Sequence, residues 1–229
     1  QITDYRNIYK YLIENEDLPQ DTTINAIVNS DIANYQTNFY YLLKYSGLKQ
    51  YESIEYIVHS NHTYEEKFSF ITREESFTKK QKVWYAISIK GVSLKTIFKD
   101  LVNQKYLTLE QVIEDMIEAD SIPFATLFDT LLESKLVTTE EITKALISYK
   151  ATFNEATIEE KINWCFNTNF PEETKLDTFY QLLKTYNLTE KEQFILEYYG
   201  ITDYHDFINL YKKKTNKLTL DEKRLLALN

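Results

Sequence analysis

Apolar residues recur along this chain three and four positions apart, in runs of a few turns separated by short polar stretches. Phe39, Leu42 and Leu43 form one such set, and the same order recurs from Phe179. This spacing places apolar side chains on one face of an α-helix, whereas a half-buried strand would alternate. The pattern predicts helices at about 3–15, 22–30, 32–46, 50–60, 64–70, 73–90, 94–105, 109–119, 122–135, 139–149, 158–168, 175–186, 190–199, 203–214 and 220–228.

Helix starts carry a repeated capping pattern, in which Thr is followed three residues later by Glu or Gln. In a capping box the Thr hydroxyl accepts from the backbone amide at the third helical position, whose side chain accepts from the Thr amide. The pairs are Thr63/Glu66, Thr72/Glu75, Thr108/Gln111, Thr138/Glu141, Thr157/Glu160, Thr189/Glu192 and Thr219/Glu222. Gly47, Gly91 and Gly200 each follow an apolar run, where a helix end needs positive φ. We therefore expect an all-α fold, with 83–89 the one segment where a short strand is an alternative.

The helical pattern repeats in pairs. Phe39, Phe98, Phe128, Phe179 and Phe207 each begin a similar apolar pattern within a predicted helix, and a second helix follows after a short turn. We expect a Leu to anchor each of these turns, namely Leu48, Leu107, Leu136, Leu188 and Leu218. A helix pair this short cannot bury its apolar face alone, so stacking on neighbouring pairs must complete the core.

The expected architecture is a set of antiparallel helical hairpins stacked as a degenerate α-solenoid or a compact multi-helix bundle. We divide the chain into an aromatic-rich helical subdomain, 1–92, and a helical-hairpin repeat region, 93–229, which the pattern also allows to pack as one continuous domain.

Composition narrows the classes of function. Three Gly and three Pro in 229 residues leave no glycine-rich phosphate loop or nucleophile elbow. We find no catalytic motif and expect neither an enzyme nor a cofactor. Cys165 is the single cysteine and allows no intramolecular disulfide, so we expect a reducing compartment and a cytoplasmic location. It lies between Trp164 and Phe166, an apolar context in which we expect a core thiol. No apolar run is long enough to span a membrane, and the first residues do not resemble a signal peptide.

His59, His62 and Glu66 are the weak candidates for a metal site. On one continuous helix these three side chains would share a face. However, Asn61 and the Thr63 capping box indicate that one helix ends near His59 and another begins at Thr63. That break would separate the ligands, so we expect surface histidines in a turn and no bound metal.

Tyrosines and acidic residues point to recognition of another protein. Five tyrosines lie close together across two predicted helices, and one apolar stripe cannot bury them all: Tyr40, Tyr41, Tyr45, Tyr51 and Tyr56. Exposed tyrosines are favoured at binding surfaces. Residues 110–141 carry nine acids against one base, Lys135, and we expect Glu110, Glu114 and Glu118 to steer a basic partner. The leading hypothesis is a non-catalytic module that recognises a protein or peptide, or acts as a scaffold; the oligomeric state is left open.

Basic residues support an alternative hypothesis, a regulator associated with DNA or RNA. Lys79, Lys80 and Lys82 stand next to Trp84 and Tyr85, a mixture that suits phosphates and bases. The C-terminal part adds further cations, Lys212, Lys213 and Lys214. The net charge of −9 argues against general nucleic-acid binding. The more ordinary interpretation of Trp84 is a core residue whose edge is covered by lysine stems.

Overall fold

The computed structural model describes Asn7, Tyr11 and residues 19–30, 33–150 and 156–185. Helices occupy this part of the chain and no strand occurs in it, which confirms the all-α fold. The helices are α1 (Gln20–Val28), α2 (Tyr35–Tyr45), α3 (Gln50–His59), α4 (Tyr64–Arg73), α5 (Lys79–Ile87), α6 (Leu94–Val102), α7 (Leu109–Glu118), α8 (Phe124–Ser134), α9 (Thr139–Ser148), α10 (Ile158–Asn167) and α11 (Glu172–Thr185). None of these described helices is long and apolar enough to cross a bilayer.

Four predicted helices, 3–15, 190–199, 203–214 and 220–228, lie outside the described residues, apart from Asn7 and Tyr11. The choice between a solenoid and a compact bundle stays a prediction.

The capping boxes set the first turns of several helices. At the start of α4, the Glu66 carboxylate accepts from the Thr63 amide at 3.0 Å, and the Thr63 hydroxyl accepts from the Glu66 amide at 3.2 Å. Thr138 with Glu141 and Thr157 with Glu160 form the same reciprocal pairs before α9 and α10. The predicted starts at these helices are confirmed. The pairs that begin at positions 189 and 219 lie outside the described residues.

Thr72 does not start a helix, so that predicted cap is wrong. It lies buried inside α4, where its hydroxyl donates to the Phe68 carbonyl at 2.8 Å. Phe68, Ile71 and Thr72 are all buried, and this spacing continues the inward face of α4 for one more turn. Burial therefore extends α4 past the local capping pattern.

The next helix, α5, begins later than predicted, at Lys79. Its cap is a box that the sequence analysis did not select, in which Thr78 and Gln81 bond to each other's backbone amides. The segment 83–89 is helical as far as Ile87, so the strand alternative is wrong. Val83 and Ala86 are buried three residues apart, which is the spacing of a helix face.

The repeated apolar pairs lie in the core. In four helices a Phe and the Leu three positions later are both buried: Phe39 with Leu42, Phe98 with Leu101, Phe128 with Leu131, and Phe179 with Leu182. The predicted inward face is confirmed for these helices. The counterpart at position 207 lies outside the described residues.

The turn after α8 departs from the prediction of a Leu anchor. Leu107 is buried as expected after α6, but Leu136 is 44% exposed. Lys135 takes a left-handed backbone conformation with φ of 60°, and the chain then directs Val137 inward. The anchor at this turn is therefore Val137.

The chain divides into two compact units, 1–115 (unit 1) and 116–229 (unit 2), and the division falls within α7. The predicted subdomains instead met at 92–93, and that organisation stays a prediction. Within each unit, an aromatic side chain donates a hydrogen bond to a carboxylate two helices away in the chain order. Tyr64 on α4 donates to the Asp100 carboxylate on α6 at 2.8 Å, and Trp164 on α10 donates to the Asp129 carboxylate on α8 at 2.8 Å. These bonds tie together helices that are not adjacent in sequence.

Candidate functional site

Three tyrosines of α2 form one surface cluster, which we call the α2 tyrosine cluster: Tyr40, Tyr41 and Tyr45. The Tyr40 ring stands edge-on to Tyr41 and Tyr45, with centroids 5.8 and 6.4 Å apart, and Tyr41 lies 5.2 Å from Tyr45. The opposite face of α2 carries the buried Phe39 and Leu42. Because the apolar face of α2 packs in the core, these tyrosines lie on the outer side of the helix, and Tyr40 is 43% exposed.

The other two predicted tyrosines lie on α3 and bond to carboxylates. Tyr51 is 56% exposed, and its hydroxyl donates to Glu52 at 3.1 Å. The Lys49 ammonium lies 5.7 Å from the centre of the Tyr51 ring, which is within the range of a cation–π contact. Tyr51 thus presents its ring at the surface.

Tyr56 has a different role from Tyr51. Its hydroxyl donates to the Asp21 carboxylate on α1, and it is half-buried. Burial and the bond to Asp21 raise the pKa of Tyr56 to about 12. We conclude that the Tyr56 hydroxyl joins α1 to α3 and is already engaged within the fold.

Glu110, Glu114 and Glu118 are all exposed along α7. Their four-residue spacing places them on one side of the helix. Neither the first nor the last turn of α7 holds a basic residue. The steering role predicted for them stays a prediction.

The three lysines of α5 occupy different surroundings. Lys79 is exposed, the Lys80 ammonium lies 4.9 Å from the centre of the Trp84 ring, and the Lys82 ammonium lies 5.0 Å from that of Tyr106. The indole nitrogen of Trp84 donates to the Asp115 carbonyl at 2.8 Å. Residues 212–214 lie outside the described residues.

The structure does not bring the candidate metal ligands together on one helix. His59 is the last residue of α3, and its Nδ1 lies 2.8 Å from the Glu55 carbonyl oxygen. His62 lies in the turn, with Nε2 at 2.8 Å from the Val28 carbonyl oxygen and Nδ1 at 3.4 Å from Glu66. The Glu66 carboxylate also caps α4, and the backbone amide of Thr63 lowers its pKa. Within the described residues, no group of three or more His, Cys, Asp or Glu side chains is arranged to hold a metal ion.

The His62 ring instead packs against two aromatic rings of α2. Its centroid lies 5.0 Å from Phe39 in an edge-on arrangement and 6.2 Å from Tyr35. His59 is exposed as the sequence predicted, whereas His62 is half-buried, so its prediction as a surface histidine is wrong. The aromatic neighbours of His62 come from α2, and local sequence gives no sign of them.

Cys165 is buried in unit 2, where burial raises the pKa of its thiol to about 11. The Thr178 side chain and Lys175 act in the opposite direction but more weakly. A thiol in this environment is a poor nucleophile at neutral pH.

A further set of lysines, absent from the predicted candidates, follows the α5 group along the chain. Lys90 lies between α5 and α6, Lys95 and Lys99 lie on α6, and Lys105 lies just after α6. A charge count over 79–105 would have found them, because this segment holds seven Lys and only one acid, Asp100.

No protein-family model, curated protein sequence or solved structure matches this chain.

Proposed function

We propose that this chain is a non-catalytic recognition or scaffold module of helical-repeat type. It binds a segment of a protein or peptide through the α2 tyrosine cluster together with Tyr51. The observation that carries the proposal is the outward placement of these rings on helices whose other face is already packed in the core.

The chemistry of tyrosine suits this role. A tyrosine ring contributes a large contact area with few rotatable bonds, so it loses little conformational entropy when a partner docks. Its hydroxyl gives a polar tip that bonds to a peptide backbone. Tyr40 and Tyr51 are the most exposed rings of the predicted set, and we assign them the central contacts.

The partner is proposed to be basic. Tyr51 already holds a cation near its ring, from Lys49, and lies beside Glu52. The exposed Glu110, Glu114 and Glu118 add a negative field that raises the rate of encounter with a positive partner. A cytoplasmic location belongs to the same proposal, since Cys165 is a free, buried thiol.

A peptide-display library selected against the immobilised chain tests the proposal. We expect enrichment of peptides that carry Lys or Arg together with an apolar residue. The variant Tyr40→Ser with Tyr51→Ser should lose at least about tenfold in affinity for the selected peptides, since removing two central rings costs at least about 1.4 kcal/mol. Tyr11→Ser is the matched control, because Tyr11 is also strongly exposed and is not among the rings assigned to the surface.

Two results would count against the proposal. Failure to enrich any peptide would contradict the proposed recognition function. An equal loss of affinity in the Tyr11 control would contradict the assignment of the binding surface to Tyr40 and Tyr51. Steering is tested separately by Glu114→Lys with Glu118→Lys. If this charge reversal leaves both the association rate and its salt dependence unchanged, the acidic residues of α7 do not steer the partner.

A further inference from the structure

Helices α5 and α6, with the turn after α6, carry a strong net positive charge. Residues 79–105 hold seven Lys against one acid, a net +6, within a chain whose net charge is −9. The lysines are Lys79, Lys80, Lys82, Lys90, Lys95, Lys99 and Lys105. The single acid, Asp100, accepts a hydrogen bond from the Tyr64 hydroxyl on α4 at 2.8 Å. Within the segment itself, the one carboxylate among seven lysines is therefore engaged with α4.

Tertiary structure brings the two ends of this segment together. The ammonium of Lys82, in the first turn of α5, lies 5.0 Å from the centre of the Tyr106 ring, which follows α6. The first turn of α5 thus lies beside the segment that follows α6. Lys79 at the start of α5, Lys99 on α6 and Lys105 after α6 are exposed. We call this set, with Lys80, Lys82, Trp84 and Tyr106, the α5–α6 lysine surface.

Two aromatic rings of this surface are fixed in place by their polar atoms. The Trp84 indole nitrogen donates to the Asp115 carbonyl at 2.8 Å, and the Tyr106 hydroxyl donates to the Thr72 carbonyl at 3.1 Å. Both rings are only half-buried. Each has a lysine ammonium nearby, 4.9 Å from the centre of the Trp84 ring and 5.0 Å from that of Tyr106.

We propose that the α5–α6 lysine surface binds single-stranded nucleic acid. Proteins that bind single strands without sequence preference combine cations that follow the phosphates with aromatic rings on which bases stack. Here Lys79, Lys99 and Lys105 contact phosphates, while Trp84 and Tyr106 stack on bases. Lys80 and Lys82 turn from the rings to phosphates as bases arrive.

The rings distinguish this partner from an acidic protein. A carboxylate-rich partner needs only the lysines, whereas a single strand also has exposed base faces that pair with the rings. The net charge of −9 does not oppose the proposal, because salt screens charges farther apart than about 8–10 Å and a local surface dominates at contact. This inference is independent of the proposed binding of a basic peptide.

Fluorescence anisotropy with labelled oligothymidylate and oligouridylate of about 20 nucleotides tests the inference. We expect binding that weakens with salt, and a preference between the two probes would identify DNA or RNA. The variant Lys79→Gln/Lys99→Gln/Lys105→Gln should lose about tenfold or more in affinity at low salt. It should also lower the slope of log affinity against log salt by about 2, because each phosphate contact contributes about 0.7 on a single strand.

The matched control is Lys44→Gln/Lys144→Gln/Lys150→Gln, which removes three exposed lysines from elsewhere and changes net charge equally. This control should retain most of the affinity. Stacking has its own readout: in the Trp164→Phe background Trp84 is the only tryptophan, and the oligonucleotide should quench its emission.

The inference would be overturned by no binding of either probe at low salt, by equal loss in both lysine variants, or by binding without quenching of Trp84. Tighter binding of polyglutamate than of the oligonucleotides would also overturn it and would assign the surface to an acidic protein partner. Failure of these tests leaves the peptide-binding proposal standing, since Tyr40 and Tyr51 are unchanged in every variant.

Discussion

The side-chain ammonium of Lys67, on α4, donates a hydrogen bond of 3.1 Å to the backbone carbonyl of Val58, in the last turn of α3. Lys67 is only 6% exposed, and burial lowers its pKa. The last carbonyls of a helix have no partner within the helix, and this lysine supplies one. The side chain of Lys67, near the start of α4, thus caps the C-terminal end of α3.

Unit 2 repeats the same arrangement. Lys161 on α10 is 1% exposed and donates to the Tyr149 carbonyl, at the end of α9, at 2.7 Å. Lys67 and Lys161 each stand four residues after the capping Thr of their helix, Thr63 or Thr157. The segments share the order Thr, any residue, Glu, Glu, Lys, so one local motif caps two helices at once.

Replacing Lys67 by Met should lower the free energy of unfolding by about 1–3 kcal/mol. Met keeps an unbranched apolar stem but leaves the Val58 carbonyl without this donor. Urea denaturation followed by circular dichroism measures the change. Lys44→Met is the control, because Lys44 is exposed on α2 and its loss should have little effect. Equal stability of the two variants would show that the Lys67 bond contributes nothing.

Thr138→Ala should destabilise the chain by about 1 kcal/mol, since it removes the hydroxyl that accepts from the Glu141 amide at 3.2 Å. Thr126→Ala is the matched control: Thr126 is exposed in the first turn of α8 and forms no part of a reciprocal cap. Its effect should stay within about 0.5 kcal/mol. A comparable loss in both variants would argue against the cap as the cause.

The Glu141 cap should make stability depend on acid pH. Hydrogen bonds from the Thr138 backbone amide and then its side chain lower the pKa of Glu141 from its ordinary value of 4.5. A carboxylate with a lowered pKa contributes stability above the ordinary value and loses it as pH falls through the lowered one. Wild type should therefore exceed Glu141→Gln in stability at neutral pH, and the difference should shrink in acid. A difference that stays constant from neutral to strongly acidic pH would contradict this assignment.

Ionisation of Tyr64 should make the free energy of unfolding fall at alkaline pH. Burial first, and then its bond to Asp100, raise the pKa of Tyr64 above the ordinary value of 10.0. The folded chain holds this proton where the unfolded chain releases it, so stability is complete below pH 10 and falls as pH rises further. Tyr64→Phe should flatten this fall, while Tyr40→Phe, on the surface, should not. The urea midpoint across pH 9–12 measures the fall, and ultraviolet absorbance of tyrosinate reports ionisation directly.

The Cys165 thiol should react very slowly with a disulfide reagent in the folded chain. Its buried position and its pKa of about 11 keep it protonated and covered at neutral pH. In denaturant the thiol should react fully within minutes. Lys161→Met, which is expected to destabilise unit 2 around Cys165, should accelerate the reaction in buffer. Rapid labelling of the folded wild type would show that Cys165 is accessible.

Local sequence determined the helices and most of their starts. The capping boxes at Thr63, Thr138 and Thr157 bond neighbouring groups within four residues, so the sequence contains both partners of each bond. The same holds for the inward Phe and Leu pairs, whose spacing alone fixes a helix face. At Gly47, a positive φ of 76° follows from the position just past a helix end.

Tertiary structure decided which polar groups and rings are used inside the fold. Thr72 stands in a capping sequence but is buried within α4. After α8, Val137 is buried where Leu136 was expected, and Leu136 is exposed. Tyr51 and Tyr56 look alike in the sequence, yet only Tyr56 reaches a carboxylate on another helix. Such outcomes depend on partners some 35 residues away, as with Tyr56 and Asp21, and no local pattern encodes that distance. Long-range packing therefore decides which side chains remain exposed at the surface.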